Sequence, residues 1–244
     1  MADNGHPTRF LSRRSVLGAC GVAGTACLAG CTSSGSLAAE TTVTREYDGA
    51  ELSEFVVETT NGDIDIREQQ RETVNVEATK HAADEDALKD ITLVEDRTGE
   101  RLSLSAESDD SGLLSFGSAP RMDLVLVVPD QLGITTESTN GDIDIGSRTA
   151  ESLNAESTNG DIAFSLANPS DIRANTTNGD VSIRLPATAE PSVSFETTNG
   201  EVATSGLEAG TIEADSEINQ TIGNGTHRIR VDTTNGDLKI QGEG

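Results

Sequence analysis

The stretch Ile134-Thr135-Thr136-Glu137-Ser138-Thr139-Asn140-Gly141-Asp142-Ile143-Asp144-Ile145 decides the fold of this chain. Its centre, Thr-Asn-Gly followed by an acid, recurs at Thr60–Asp63, Thr139–Asp142, Thr158–Asp161, Thr177–Asp180, Thr198–Glu201 and Thr234–Asp237. The corner pairs are thus Asn61-Gly62, Asn140-Gly141, Asn159-Gly160, Asn178-Gly179, Asn199-Gly200 and Asn235-Gly236. From Asn140 through Asn159 and Asn178 to Asn199 the gaps are 19, 19 and 21 residues, the scale of a stacked repeat.

Working outward, each corner is preceded by an alternating segment: Ile134/Thr136/Ser138, Leu153/Ala155/Ser157, Ile172/Ala174/Thr176, Val193/Phe195/Thr197. A shorter one follows it: Ile143/Ile145, Ile162/Phe164, Val181/Ile183, Val202/Thr204. Period-two alternation puts one face in a core and the other in water. Asn-Gly is expected to supply positive φ angles at a tight corner, which Asn tolerates and Gly adopts freely. The leading apolar column runs Ile134, Leu153, Ile172, Val193, Ile212, Ile229 and continues where the Asn-Gly signature is lost. Phe55/Val57/Thr59 and, nineteen residues on, Val74/Val76/Ala78 extend it back, so the repeat begins near residue 50.

Two architectures fit a strand, a corner and a second strand. In a meander of hairpins Ile162 would face Ser157 and Phe164 would face Ala155. A hairpin needs only the Asn-Gly, whereas this chain also repeats the preceding Thr, the following acid and the rung length. Stacking of equivalent residues one rung apart accounts for that identity. The expected fold is all-β: a β-solenoid, β-helix or β-roll, of ~19-residue two-strand rungs with Asn-Gly corners. One short acidic helix is expected at Ala82–Lys89 within an insertion of irregular strands spanning residues 80–133.

At the N-terminus, Arg13 and Arg14 precede a charge-free Ala/Gly-rich run, and Ser12–Leu17 resembles a twin-arginine export signal. Leu28-Ala29-Gly30-Cys31 resembles a lipobox, whose cysteine carries the lipid after cleavage. The expected organisation is a signal peptide over residues 1–30, a lipid-anchored tether over 31–44 and a β-solenoid domain over 45–244. Cys20 and Cys27 lie before the cut and Cys31 at it, leaving no thiol pair for a disulfide in the mature chain.

The 42 acidic residues against 17 basic ones give a net charge of -25, which removes the positive field that nucleic acid needs. With three lysines beside fourteen arginines and acids spread along the whole chain, the composition resembles that of halophilic proteins.

The run Met122–Val128, Pro129, then Ile134–Ile145 resembles the putative-adhesin family of bacterial and archaeal surface proteins, a domain-of-unknown-function family. In that family a strand ending in Val-Pro leads into repeated Thr/Ser-x-Gly-Asp-Ile/Val corners. The resemblance covers about Glu46 to Ile240 and implies a β-helix or β-roll solenoid, often tethered to the envelope, with no agreed catalytic residues. This chain departs from it in having Asn before most of the glycines and a degenerate rung at Glu217–Ile222.

The acids after the corners could form a calcium ladder, with Asp142, Asp144, Asp161 and Asp180 as candidate ligands. A second acid two residues on occurs only at Asp65 and Asp144, so one acid per rung falls short of a calcium shell, and a salt-screened solvated face is favoured. No cofactor is expected. Only His81 and His227 remain in the mature chain, without metal-ligand spacing, and the serines follow strand parity. A β-helix polysaccharide-active enzyme is the remaining enzymatic reading, disfavoured by the absence of Trp and a single Tyr, Tyr47. Asn175, Asn219 and Asn224 head glycosylation sequons.

These readings converge on a lipid-anchored, extracytoplasmic binding or scaffold module of adhesin type. Its expected partners are the membrane, through the lipid, and an envelope protein or glycan. The alternative is an envelope-stress sensor that binds a membrane partner.

Overall fold

The computed structural model describes residues 39–108, 119–208, 213–214 and 216–244. Arg13, Arg14, Cys31 and Ile212 lie outside the described residues. The chain starts with β1 (Ala39–Asp48), β2 (Glu54–Asn61), β3 (Ile64–Gln69) and β4 (Thr73–Ala82). A single 3-10 turn (Ala87–Asp90) stands where a helix was expected, followed by β5 (Ile91–Thr98), β6 (Arg101–Ser108) and β7 (Arg121–Pro129). Next come β8 (Gly133–Asn140) with β9 (Ile143–Ser147), β10 (Ser152–Asn159) with β11 (Ile162–Leu166), and β12 (Asp171–Asn178) with β13 (Val181–Pro186). The remainder holds β14 (Pro191–Glu196), β15 (Val202–Ser205), β16 (Glu213–Ala214), β17 (Glu217–Thr221), β18 (His227–Asn235) and β19 (Leu238–Glu243). No helix among the described residues is long and apolar enough to cross a membrane.

The protein is all-β and β-solenoid-like, built of two large open sheets. One has ten strands in the order β1-β4-β7-β3-β9-β11-β13-β19-β15-β16, the other nine in the order β17-β14-β18-β12-β10-β8-β2-β6-β5. A hairpin meander would pair β8 with β9. Instead β8 lies parallel to β10, with Ile134 opposite Leu153, and β10 lies parallel to β12, with Leu153 opposite Ile172. From β8 to β12 the chain thus crosses from one sheet to the other at each corner and returns nineteen residues later (153 − 134 and 172 − 153).

Stacking order departs from chain order at both ends, which the repeat spacing did not reveal. The layers run β6/β7, β2/β3, β8/β9, β10/β11, β12/β13, β18/β19, β14/β15. Ile229 therefore sits between Ile172 and Val193, and the expected succession from Val193 to Ile229 is reversed. Val74, Val76 and Ala78 are not in the leading column: β4 belongs to the other sheet, antiparallel to β7 and β1. The degenerate rung is a pair of edge strands, β17 antiparallel to β14 and β16 antiparallel to β15. Periodicity alone cannot distinguish these outcomes, because parity and length are the same for a strand added in either direction. The antiparallel additions β5, β17 and β16, with β4 and β1, cover the outermost parallel strands that would otherwise present unpaired edges. Residues 39–44, expected within the tether, lie in β1.

On each sheet the alternating inward residues stack into columns between the two sheets. In the nine-stranded sheet one column runs Leu102, Phe55, Ile134, Leu153, Ile172, Ile229, Val193; in the ten-stranded sheet another, next to the corners, runs Leu124, Ile64, Ile143, Ile162, Val181, Leu238, Val202. All fourteen are buried in one continuous core. Removing a buried aromatic such as Phe164 from such a core costs about 3–5 kcal/mol.

Candidate functional site

At each corner adjacent layers meet through backbone. Gly62 N donates to Asn140 O at 2.9 Å, Gly141 N to Asn159 O at 3.0 Å and Gly160 N to Asn178 O at 3.0 Å. A Cβ on Gly141 would stand 2.0 Å from Gly62 O, so close approach excludes any side chain there. The asparagines play a different part from the one expected. Among the described residues Gln131 alone has a positive φ without being glycine, so no corner Asn adopts it. Their amides form a ladder instead: Asn140 Nδ2 donates to Asn61 Oδ1, Asn159 to Asn140 and Asn178 to Asn159, each at 2.9 Å. Asn235 donates to Asn178 at 2.9 Å and Asn199 to Asn235 at 2.8 Å. An amide carries both a donor and an acceptor, so one residue type can pair with itself indefinitely.

The acids form a second ladder. Asp63 Oδ1 accepts from Asp142 N (2.9 Å), Asp142 from Asp161 N (2.8 Å), Asp161 from Asp180 N (2.8 Å) and Asp180 from Asp237 N (2.9 Å). Asp237 Oδ1 accepts from Glu201 N at 2.8 Å and completes it. The first member is Asp123 of β7, whose Oδ1 accepts from Asp63 N at 3.1 Å. Its Oδ2 is held by His81 Nε2 at 3.0 Å and Arg121 Nη2 at 3.3 Å. Sequence reasoning missed Asp123 because no Asn-Gly precedes it. The available signal was an Asp immediately before a column residue, Leu124, as Asp142 stands before Ile143.

The calcium candidates Asp142, Asp161 and Asp180 thus each commit an oxygen to a backbone N–H. Asp144 is taken by Arg67, whose Nη1 and Nη2 donate to its Oδ1 at 3.2 Å and its Oδ2 at 3.1 Å. The same guanidinium lies 3.0 Å from Asp65, which burial and the Asp144 charge push above the usual carboxylate range against the pull of Arg67. Arg67 lies across Gly146, where a Cβ would stand 2.9 Å from its Cδ. Among the described residues no three His, Cys, Asp or Glu side chains gather in a metal-ligand cluster.

At the opposite end of the rungs, Glu68 is 4% exposed and anchors two turns. It accepts from Gln131 N (2.7 Å), Thr149 N (2.7 Å), Arg148 N and Ser147 Oγ (2.9 Å). Burial alone would raise its pKa, but the four hydrogen bonds together outweigh it and hold the carboxyl below its ordinary range.

The outer face of the nine-stranded sheet carries two grooves. Glu58, Glu137 and Glu156 stand directly opposite one another on β2, β8 and β10 and line a groove of about 710 Å³. Partial desolvation, then the flanking Glu58 and Glu156, raise the Glu137 carboxyl above its ordinary range. Asn175 continues the row and donates to Glu156 Oε1 at 2.8 Å. A second groove of about 650 Å³ crosses β10, β12, β18, β14 and β17 and includes Arg173, Arg228 and Arg230. Of the sequon asparagines, Asn224 donates to Glu190 Oε2 at 2.7 Å, while Asn219 is exposed at the second groove. His81 and His227 lie on different sheets, so the histidines form no joint site.

The family model described as Toastrack DUF4097 matches residues 131–241 of the chain. No curated protein matches. The fold is similar to that of a putative cell adhesion protein from Clostridium sporogenes, at a TM-score of 0.58 and 12% identity, covering 84% of this chain and 100% of that one. A putative adhesin from Bacteroides fragilis is 14% identical over 82% of this chain and 96% of its own, with a TM-score of 0.35.

Proposed function

We propose that the chain is an adhesin-like binding module, exported through Arg13-Arg14, lipidated at Cys31 and held on the extracytoplasmic face of the cell membrane. Its acidic composition suits concentrated salt. We assign it no catalytic role. The observation that carries the reading is the outer face of the nine-stranded sheet, where polar and charged side chains in register line two grooves. Binding modules on rigid scaffolds present such surfaces, and the names borne by the similar proteins agree with this use. The Toastrack match supports the family resemblance over residues 131–241.

Fractionation of cells expressing the chain tests the anchoring. Cys31→Ser should release the protein from membranes or leave an uncleaved precursor, and Arg13→Lys with Arg14→Lys should retain it inside the cell. Unchanged membrane association and size in both variants would overturn the reading.

A further inference from the structure

Arg173 and Arg230 are direct partners on the adjacent parallel strands β12 and β18, and Arg228 lies on the same face two residues from Arg230. Like charges placed opposite each other across a sheet are destabilising. Only one of the three is internally neutralised: Arg230 donates to Asp232 through Nε at 2.9 Å and Nη2 at 3.2 Å. Arg173 and Arg228 make no ion pair with a carboxylate among the described residues, in a chain with 42 acids. Asp171, which also lines the groove, turns one oxygen to the backbone, accepting from Arg228 N at 2.8 Å. Arg173 and Arg228, without a carboxylate partner among the described residues, thus line one groove together with Asn154, Ser192, Ser194 and Asn219.

We infer that this groove binds a saccharide chain bearing carboxylate or sulfate groups. A guanidinium presents a planar fork that matches either oxyanion in bidentate fashion. The Ser and Asn side chains offer hydroxyl and amide partners to sugar hydroxyls. With no Trp in the chain, neutral sugars would lack a stacking platform, so charge has to provide the selectivity. The groove runs across strands spaced ~4.8 Å apart, so a polymer laid along the stack meets equivalent backbone positions at regular intervals. Duplex nucleic acid, with one charge per ~1.7 Å of axis, is repelled more strongly by the net charge of -25 than a saccharide whose anions are a sugar apart.

The inference rests on the reading of this face as a binding surface, but its test uses purified protein and is independent of localisation. The full chain would be titrated calorimetrically with polygalacturonate, dextran sulfate and neutral dextran. Binding of at least one of the first two, without dextran binding, is expected, and the pair separates carboxylate from sulfate. Arg173→Gln with Arg228→Gln should weaken that binding by about tenfold or more. Arg184→Gln, on the other sheet, should leave it within about twofold, since one charge among many changes only the screened background field. Circular dichroism would verify that both variants fold; if the double variant does not, each single variant is titrated instead. Equal binding of dextran, binding to neither anionic polymer, or binding unchanged in the folded variants would overturn the inference. Sedimentation of the free chain as a dimer that the double variant abolishes would overturn it too, because the occupant would then be a second copy.

Discussion

Asp142 accepts a hydrogen bond through Oδ1 from the backbone N–H of Asp161, its equivalent nineteen residues later, at 2.8 Å. The carboxylate of each layer thereby closes a backbone group of the next, and the acid after the corner is a structural part. Glu201 ends the ladder, and among the described residues no backbone N–H donates to its carboxylate. The longer side chain falls at the one corner where a precise reach is not required.

Asp142→Ala should therefore destabilise by about 1 kcal/mol, the value of one partly exposed hydrogen bond. Asp142→Asn keeps an acceptor oxygen and should cost less. Glu201→Ala should be neutral. Urea midpoints of the three variants check this, and an equal loss at both positions would remove the ladder as the explanation of the acid.

The repeat, the strand parity and the columns were legible because each corner has to stack on its neighbour, which forces identical residues at fixed spacing. Ile134, Leu153 and Ile172 could be aligned from sequence alone. The position of β18 between β12 and β14 could not, because Ile229 satisfies the parity of either neighbour equally well. Arg173 and Arg230 are 57 residues apart in sequence, and only that out-of-order layer makes them partners. The role of Asn was misread because Asn-Gly has a strong local meaning, positive φ, which here gave way to a longer-range one.

Gly141→Ala should be far more damaging than a helix-propensity or entropy argument would give. The added methyl would meet the Gly62 carbonyl at 2.0 Å, a backbone contact that cannot move without separating the layers. A loss above about 3 kcal/mol is expected. At Gly133 a Cβ would meet Ser152 Oγ at 3.4 Å, an ordinary contact, and Gly133→Ala should be tolerated. Thermal melts of the pair measure the difference.

Glu68 and Glu137 should give opposite pH dependences. The folded-state pKa of Glu68 is lowered, so its stabilisation is fully present above the unfolded value near 4.5 and disappears as pH falls through the lower folded value. The Glu137 pKa is raised, so the native state binds its proton more readily and stability falls as pH rises from the unfolded value to the folded one. Glu68→Gln should cost about 3 kcal/mol at neutral pH and flatten the acid limb of a stability profile. Glu137→Gln should raise stability at neutral pH and change little in acid. Urea unfolding across the acid range checks both signs.

Salt should act without specific metal. With acids in excess, melting should rise with KCl as the screening length shortens from ~30 Å at 0.01 M. Micromolar calcium at constant ionic strength should add nothing, since the candidate ligands Asp142, Asp161, Asp180 and Asp144 already have protein partners. A calcium-dependent rise would return the corner acids to the role of ligands.

Deleting Asn159 through Thr177 (19 residues, 177 − 159 + 1) rejoins Thr158 to Asn178 and restores a complete Thr-Asn-Gly-Asp corner. β10, short of only Asn159, then continues through the rejoined corner into β13, Leu153 meets Ile229, and Ile143 meets Val181, all with the parity they now have. Cooperative unfolding should survive, whereas a ten-residue deletion breaks the phase and should abolish it. Truncation after Thr226 is a different lesion despite its similar length. In a stack that followed chain order it would peel off an end layer and expose one neighbour. Here it withdraws β18/β19 from between β12/β13 and β14/β15, so both neighbours lose their hydrogen-bonded partners. Hydrogen exchange should show loss of amide protection in all four of those strands, with β8 and β9 still protected. Protection persisting throughout β12–β15 would mean that the β14/β15 cap can descend one layer, and that the interior place of the last strands contributes nothing to stability.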